Sequence, residues 1–416
     1  MAGVGSVTMS VDITTGLAAP HTAEPHNAVR SDVEAATTVA AAESVLSRRF
    51  GAPVRLDADE DLGGSDRSVV LRVRVAETPF SLPRTMVVKH YHDHTDNGRP
   101  DPFAHEAASS QLFTALTAPE RVSPELMAHG VAERVLVMED LGRAPTLADK
   151  LLGEDPRAAE SSLLAWARAL GRLHATTAGR EADFDALMRR LGERSWRDPI
   201  ANEARVALTE LPELLSEALG VQRNPDAEAH AAGTAHLLEG TRYRAFSPSD
   251  VCPDNNLVTS KGVRFLDFEW GCMRDIALDA AYLRVPFPSC WCSFSLPPGM
   301  TEAMLAAWRA EVSVVWPDLD DDAVLLPRLL DAQVLWVWLS TWWLLPRTTE
   351  QDGPIDPNMV SPRRSAALAD RWRRLHTDAV ACGRIAVAEH ARAVAEAIVS
   401  RFGAEAERLP LYPAFR

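Results

Sequence analysis

Residues 246–270 read FSPSDVCPDNNLVTSKGVRFLDFEW, from Phe246 to Trp270, and this stretch decides the fold. Its second half, VRFLDFEW, alternates as a strand does, in a region whose neighbours carry helical spacing. Three oxygen-bearing side chains fall at informative places: Asp250 on a loop, Asn255 at the loop's end and Asp267 at a strand's end. Phosphoryl transfer asks for one carboxylate to orient or deprotonate the acceptor hydroxyl, and for a second carboxylate and an amide oxygen to hold magnesium against nucleotide phosphates. SPSD alone is a turn in which serine and aspartate cap nearby amides. The spacing from Asp250 to Asn255 and Asp267 is what favours a site.

Upstream of this stretch the pattern is mixed. Residues 31–50 are alanine-rich, start at Ser31 as an N-cap and stop before Gly51, which predicts a helix. Loose alternation from Pro53 to Leu62 and clean alternation over Ser68–Val75 (SVVLRVRV) predict a hairpin, with Gly63-Gly64-Ser65-Asp66 as its turn. Thr85–His90 (TMVVKH) is a third strand, Pro102–Leu116 a helix, and Val131–Asp140 two short strands, the second Arg134–Met138. Beyond Leu147, long alanine- and leucine-rich segments such as Ala158–Thr176 take over, and all eleven tryptophans lie after Leu164. The expected fold class is α+β, with a small antiparallel-sheet N-lobe at 31–142, a larger mainly helical C-lobe at 143–416 and a loose tail at 1–30.

The segment 246–279 resembles the catalytic and metal-binding region of aminoglycoside phosphotransferases and choline kinases, relatives of protein kinases. Their pattern is His-Gly-Asp, four residues, Asn, then an Asp in an Ile-Asp-Phe/Trp strand; this chain has Pro248-Ser249-Asp250, four residues, Asn255, and Leu266-Asp267-Phe268. The resemblance implies that Asp250 is the catalytic carboxylate and that Asn255 and Asp267 are magnesium ligands. Pro248 and Ser249 depart from the pattern, so another device must position the loop. Asp279 matches an aspartate that supports the catalytic loop in these families, while an N-cap for the AAYL helix explains it equally well. The likeness spans about 60–283 and is strongest over 246–279.

A kinase-like N-lobe brings a loop over the phosphates, a lysine on the third strand and a helix glutamate that holds it. Gly63, Gly64 and Ser65, then Lys89, then Glu106 occur in that order. Taken singly, a strand lysine is an edge residue and a helix glutamate a surface charge. LVMEDLG resembles the hinge between lobes, where backbone groups near Glu139 and Leu141 would meet adenine; a strand-to-turn transition reads the same way. ALGRLHATTAG resembles the long C-lobe helix, and its His174 is read as a packed, hydrogen-bonded residue. The implied cofactors are ATP and Mg2+, and the partner is a small-molecule acceptor: an aminoglycoside, sugar, nucleoside or choline-like amine.

Composition narrows the alternatives. A chain of 416 residues with 46% hydrophobic and 24% charged residues is globular and long enough for two lobes. Its net charge of −15 supplies no basic footprint for a nucleic acid. Residues 1–30 lack a basic start followed by an apolar run, and Val334–Leu345 is about half the ~20 residues of a membrane span, so neither a secretory signal nor a membrane partner is expected. Five cysteines, with Cys290 and Cys292 too close to bridge each other, point to a reducing, cytoplasmic setting rather than a disulfide framework. Cys-Trp-Cys and the histidines of Lys89–His94 (KHYHDH) each lack a full ligand set and are read as core or pocket lining and as a strand end; Asp318–Asp322 (DLDDD) is read as a helix start supplied with N-terminal carboxylates, ahead of a cation site. Two rival functions stay open: a pseudokinase that binds nucleotide or ligand without transfer, favoured by Pro248, and a hydrolase with Ser249 or Cys252 as nucleophile, which lacks a Gly-x-Ser-x-Gly elbow.

Overall fold

A computed structural model describes residues 32–65, 67–94, 100–193, 196 and 198–416; the expected tail at 1–30, the Ser31 cap and Asp66 lie outside them. The first lobe is a five-stranded antiparallel sheet in the order β1-β2-β3-β5-β4. Its strands are β1 (Arg55–Ser65), β2 (Ser68–Glu77), β3 (Thr85–Tyr91), β4 (Leu126–Gly130) and β5 (Val135–Glu139). Helix α1 (Asp32–Phe50) packs on one face, where its Ala42, Val45 and Leu46 join Leu71, Val73 and Val88 of the sheet in one buried cluster. Helix α2 (Pro102–Thr114) covers the other face, with Phe103 and Ala107 against Tyr91, Leu126 and Leu136. Asp101 caps it by accepting from the Phe103 amide at 3.0 Å, and Pro102 occupies the first turn, where a missing N–H costs nothing.

Two sequence expectations shift. Gly63, Gly64 and Ser65 are the last residues of β1, paired with β2, and the final pair sets Ser65 opposite Ser68. The register slips between Asp61 and Gly63, and φ is +94° and +137° at the two glycines, so they bulge the strand instead of turning it. The strand expected at Val131 lies earlier, over Leu126–Gly130; residues 131–134 form the turn, with Arg134 in a left-handed conformation at φ +52°.

The remainder is helical. Its helices are α3 (Leu147–Leu152), α4 (Pro156–Thr177), α5 (Glu181–Arg190), α6 (Ala201–Leu219), α7 (Pro225–Gly233), α8 (Ile276–Ala280), α9 (Met300–Val312), α10 (Asp322–Glu350), α11 (Arg364–Ala381), α12 (Ile385–Phe402) and α13 (Ala404–Glu407). Two antiparallel pairs interrupt them: β6 (Arg244–Ser247) with β9 (Cys272–Asp275), and β7 (Asn256–Thr259) with β8 (Gly262–Phe265). The fold is thus the two-lobed, protein-kinase-like arrangement. Helix α10 is long and apolar enough to cross a membrane, yet 67% of its apolar window is buried inside the protein. Trp336 and Trp338 are buried, and Trp336 donates to the Leu278 carbonyl at 2.7 Å, so these rings are core.

The acidic run 318–322 is consumed locally: Asp318 by Arg242 and Tyr243, Asp320 by Ser313, Asp321 as the cap of α10 and Asp322 by Arg309. Along KHYHDH, alternation puts Lys89 and Tyr91 beside α2, whereas His90 turns to Thr38 of α1 at 2.9 Å. The lobes meet where α2 touches the segment after Asp267. The His105 ring bonds the Gly271 carbonyl at 2.8 Å, and a Cβ at Gly271 would fall 2.4 Å from Ser109 Oγ, so only glycine permits this approach.

Candidate functional site

Lys89 sits mid-strand on β3, and its ammonium reaches two carboxylates: Glu106 Oε2 of α2 at 2.7 Å and Asp267 Oδ1 at 2.5 Å. The last pair joins residues 178 apart in sequence. Burial alone would drive the Lys89 proton off, but Asp267 and Glu106 outweigh it and hold the amine charged beyond the ordinary lysine range. Burial raises the Glu106 carboxyl, with Lys89 opposing it, and the Tyr91 hydroxyl also donates to Glu106. Sequence reasoning misses Tyr91; its place two residues after Lys89 on an alternating strand is the signal that finds it.

Asp250, Asn255 and Asp267 belong to one backbone construction. The Cys252 amide donates to Asp250 Oδ1 at 3.1 Å, and Asn255 Nδ2 donates to Asp250 Oδ2 at 3.2 Å. The Leu266 amide donates to the Asn255 carbonyl at 2.8 Å, which continues the β7–β8 ladder and brings Asp267 beside Asn255. Asp267 itself takes a left-handed backbone at φ +61°, an uncommon state outside glycine that turns the chain at the strand's end.

Beneath the loop lies a second buried cluster. Ser249, also at φ +61°, stands where the related pattern has glycine, and its amide donates to Ser247 Oγ at 2.9 Å. Ser247 Oγ donates in turn to Asp279 Oδ1 at 2.8 Å, and Arg274 and His174 contact the same carboxylate. Burial opposes ionisation of Asp279, but Arg274 and His174 hold its carboxyl at about 2. This network ties Ser247 and Ser249, the residues on either side of Pro248, to Asp279. Asp279 is therefore not the N-cap of α8, a place taken by Asp275 through the Ala277 amide at 2.9 Å. His174 is packed and bonded as expected, accepting from Trp308 Nε1 at 3.0 Å. Ser247 and Arg274 escape sequence reading because their roles depend on the β6–β9 pairing.

Arg67, the residue before β2, reaches across to the segment after Asp267. Arg67 reaches Glu269 Oε1 at 2.5 Å and lies 5.3 Å from the centre of the Trp270 ring, so the strand end carrying Gly63, Gly64 and Ser65 is fastened above the segment that follows Asp267. At the connection between lobes, the Glu139 amide donates to the Glu125 carbonyl at 2.8 Å, and Leu141 follows in a turn closed by the Gly142 amide on Asp140 Oδ1 at 2.9 Å. Arg72 fixes that turn through Asp140 at 2.9 Å.

The cysteine expectation is corrected here. Cys252 and Cys290 are joined as a disulfide across 38 residues of sequence, a partnership hidden because two loops distant in the chain converge. Cysteine usage thus no longer supports a reducing setting. The hydrolase reading also fails: Cys252 sulfur is bonded, and Ser249 Oγ faces the Cys272 thiol at 3.5 Å.

No family model and no curated protein matches the chain. Solved structures do match. A choline kinase from Cryptosporidium parvum is 11% identical with a TM-score of 0.48, over 86% of this chain and 99% of that one. A choline/ethanolamine kinase family protein from Mesorhizobium loti is 17% identical with a TM-score of 0.41, over 82% and 93%. The GDP complex of an aminoglycoside 2′-phosphotransferase is 14% identical with a TM-score of 0.44, over 88% and 99%. In fold, the chain is similar to these choline and aminoglycoside kinases.

Proposed function

We propose that the protein is a magnesium- and ATP-dependent phosphotransferase that moves the terminal phosphoryl group of the nucleotide to a hydroxyl of a small molecule. The observation that carries this reading is the convergence of Lys89 on both Glu106 and Asp267, with Asn255 and Asp250 bonded alongside. A buried lysine held charged by a helix glutamate suits the neutralisation of phosphate oxygens in a cleft where water screens little. Asn255 and Asp267 are hard oxygen donors of the kind magnesium takes, and they would hold the ion. Magnesium, when bound, offsets charge building on the phosphate oxygens. Asp250 orients the acceptor hydroxyl and receives its proton. Gly63, Gly64 and Ser65 cover the phosphates, and backbone groups after Glu139, with Leu141, meet adenine, since the Glu139 amide is already spent on Glu125.

The acceptor belongs to the aminoglycoside-, sugar-, nucleoside- or choline-like alcohols. Calorimetric titration with magnesium-ATP, followed by transfer assays on choline, ethanolamine and an aminoglycoside, tests the reading. Binding in the micromolar to millimolar range with a phosphorylated product supports it; absence of nucleotide binding overturns it. Pro248, in place of the loop histidine, favours a second reading in which nucleotide binds without transfer, and binding with no product from any acceptor class would select it.

A further inference from the structure

The phosphotransferase reading leaves one feature of the loop unused: the disulfide beside Asp250. Cys252 lies two residues after Asp250 and its amide binds that carboxylate at 3.1 Å. Cys290 begins the Cys290-Trp291-Cys292 segment on the far side. An Asp250 carboxylate oxygen and both sulfurs lie within 4.8 Å of one another. The same two segments meet again where Trp291 Nε1 donates to Asp254 Oδ2 at 3.0 Å. Behind the bond, Ser289 Oγ pairs with the Tyr282 hydroxyl at 2.8 Å, and Ser361 Oγ holds the Trp291 carbonyl at 2.7 Å.

We propose that Cys252 and Cys290 are positioning residues: their disulfide clamps the Asp250 loop to the 289–295 segment, so that the reach of Asp250 and the wall facing it are set together. The inference rests on the phosphotransferase reading for its purpose, though not for its geometry. Asp250 has short local support through the Cys252 amide and Asn255, whereas residues 289–294 lie outside any helix or strand, with the chain next bridged at Ser295 to Leu411. A covalent tie across 38 residues therefore couples the loop to a segment that hydrogen bonds alone would leave freer. Cys252 is 7% exposed and Cys290 2%, so the bond lies just beneath the surface, within reach of a small dithiol on local opening. Reduction breaks the S–S bond; two electrons and two protons pass from the dithiol, which closes to its own cyclic disulfide, leaving thiols at Cys252 and Cys290.

The test uses the full chain purified in air. Peptide mapping without reductant is expected to find the Cys252 and Cys290 peptides cross-linked. Hydrogen–deuterium exchange is then compared with and without dithiothreitol, and in the C252S/C290S and C290A variants. Exchange at 250–256 and 289–295 is expected to rise at least tenfold together on reduction and in both variants, with magnesium-ATP affinity unchanged within twofold and the double variant indifferent to dithiothreitol. Alkylation of both thiols before reduction, or equal exchange in the two states, would overturn the clamp. Loss of nucleotide binding in every form would instead count against the phosphotransferase reading and leave the clamp standing.

Discussion

Two buried charge clusters lie on either side of the Asp250 loop, and they are built to opposite specifications. In the cleft, Lys89 is shared by Glu106 and by Asp267, whose side chain keeps 29% of its exposure. Under the loop, Arg274, His174 and Ser247 surround Asp279, and nothing there is open: Arg274 is 1% exposed and Asp279 fully buried. The cleft cluster joins two lobes through one flexible lysine stem, which on the phosphotransferase reading lets a ligand's phosphates take the place of its carboxylate partners. The lower cluster draws on β6, β9, α4 and α8 and uses the rigid arginine fork, so it holds the loop in one geometry. A shared chemistry, cation against carboxylate, stays partly open in one place and is fully buried in the other.

Removing one member from each cluster breaks the comparison most sharply. Asp267→Ala is expected to lower magnesium-ATP-dependent transfer by at least about 10²–10³-fold while circular dichroism and the unfolding midpoint stay near those of the parent. Asp279→Ala is expected to act on stability instead. It strands Arg274 in the interior with Asp198, at 3.6 Å, as its remaining ion-pair partner among the described residues, and the loss read by urea unfolding should reach about 3 kcal/mol.

Acid sharpens the contrast, because the two carboxyls are shifted in opposite directions. Asp279 is held at about 2, below the unfolded value. It therefore contributes stability above about pH 4 that is lost as pH falls through about 2. Glu106 is raised, so its contribution is complete below the ordinary glutamate range and declines as pH rises through its folded value. Denaturation should show the Asp279→Asn penalty nearly unchanged from pH 7 to pH 4 and shrinking from pH 4 to pH 2, and the Glu106→Gln penalty smaller at pH 7 than at pH 4. Ser249→Gly is the mildest change. Glycine relieves the left-handed backbone at φ +61° but loosens the unfolded chain, so unfolding should move by no more than about 1 kcal/mol, toward greater stability.

The side chains that meet around Lys89 and Asp250 lie in short local runs, and those runs are legible in the sequence. MVVKHY alternates so that Lys89 and Tyr91 share a face, PFAHEAA carries Glu106 one turn past a capped start, and PSDVCPDNN and FLDFEW preserve the spacing of Asp250, Asn255 and Asp267. Pairings between distant segments are not legible. Cys252 meets Cys290, Ser247 and Arg274 meet over Asp279, and Arg67 meets Glu269 only once the loops are placed. Nor does alternation separate a turn from a bulge, which is why Gly63 and Gly64 belong to β1 and not to the hairpin turn.

The most direct test of the phosphotransferase reading is a crystal structure of the protein with magnesium and a non-hydrolysable ATP analogue. The expected result has Lys89 against the phosphates, the metal on Asn255 and Asp267, and the terminal phosphate facing Asp250. A nucleotide lodged elsewhere, with the Lys89–Asp267 pair intact and no metal at Asn255, would contradict it.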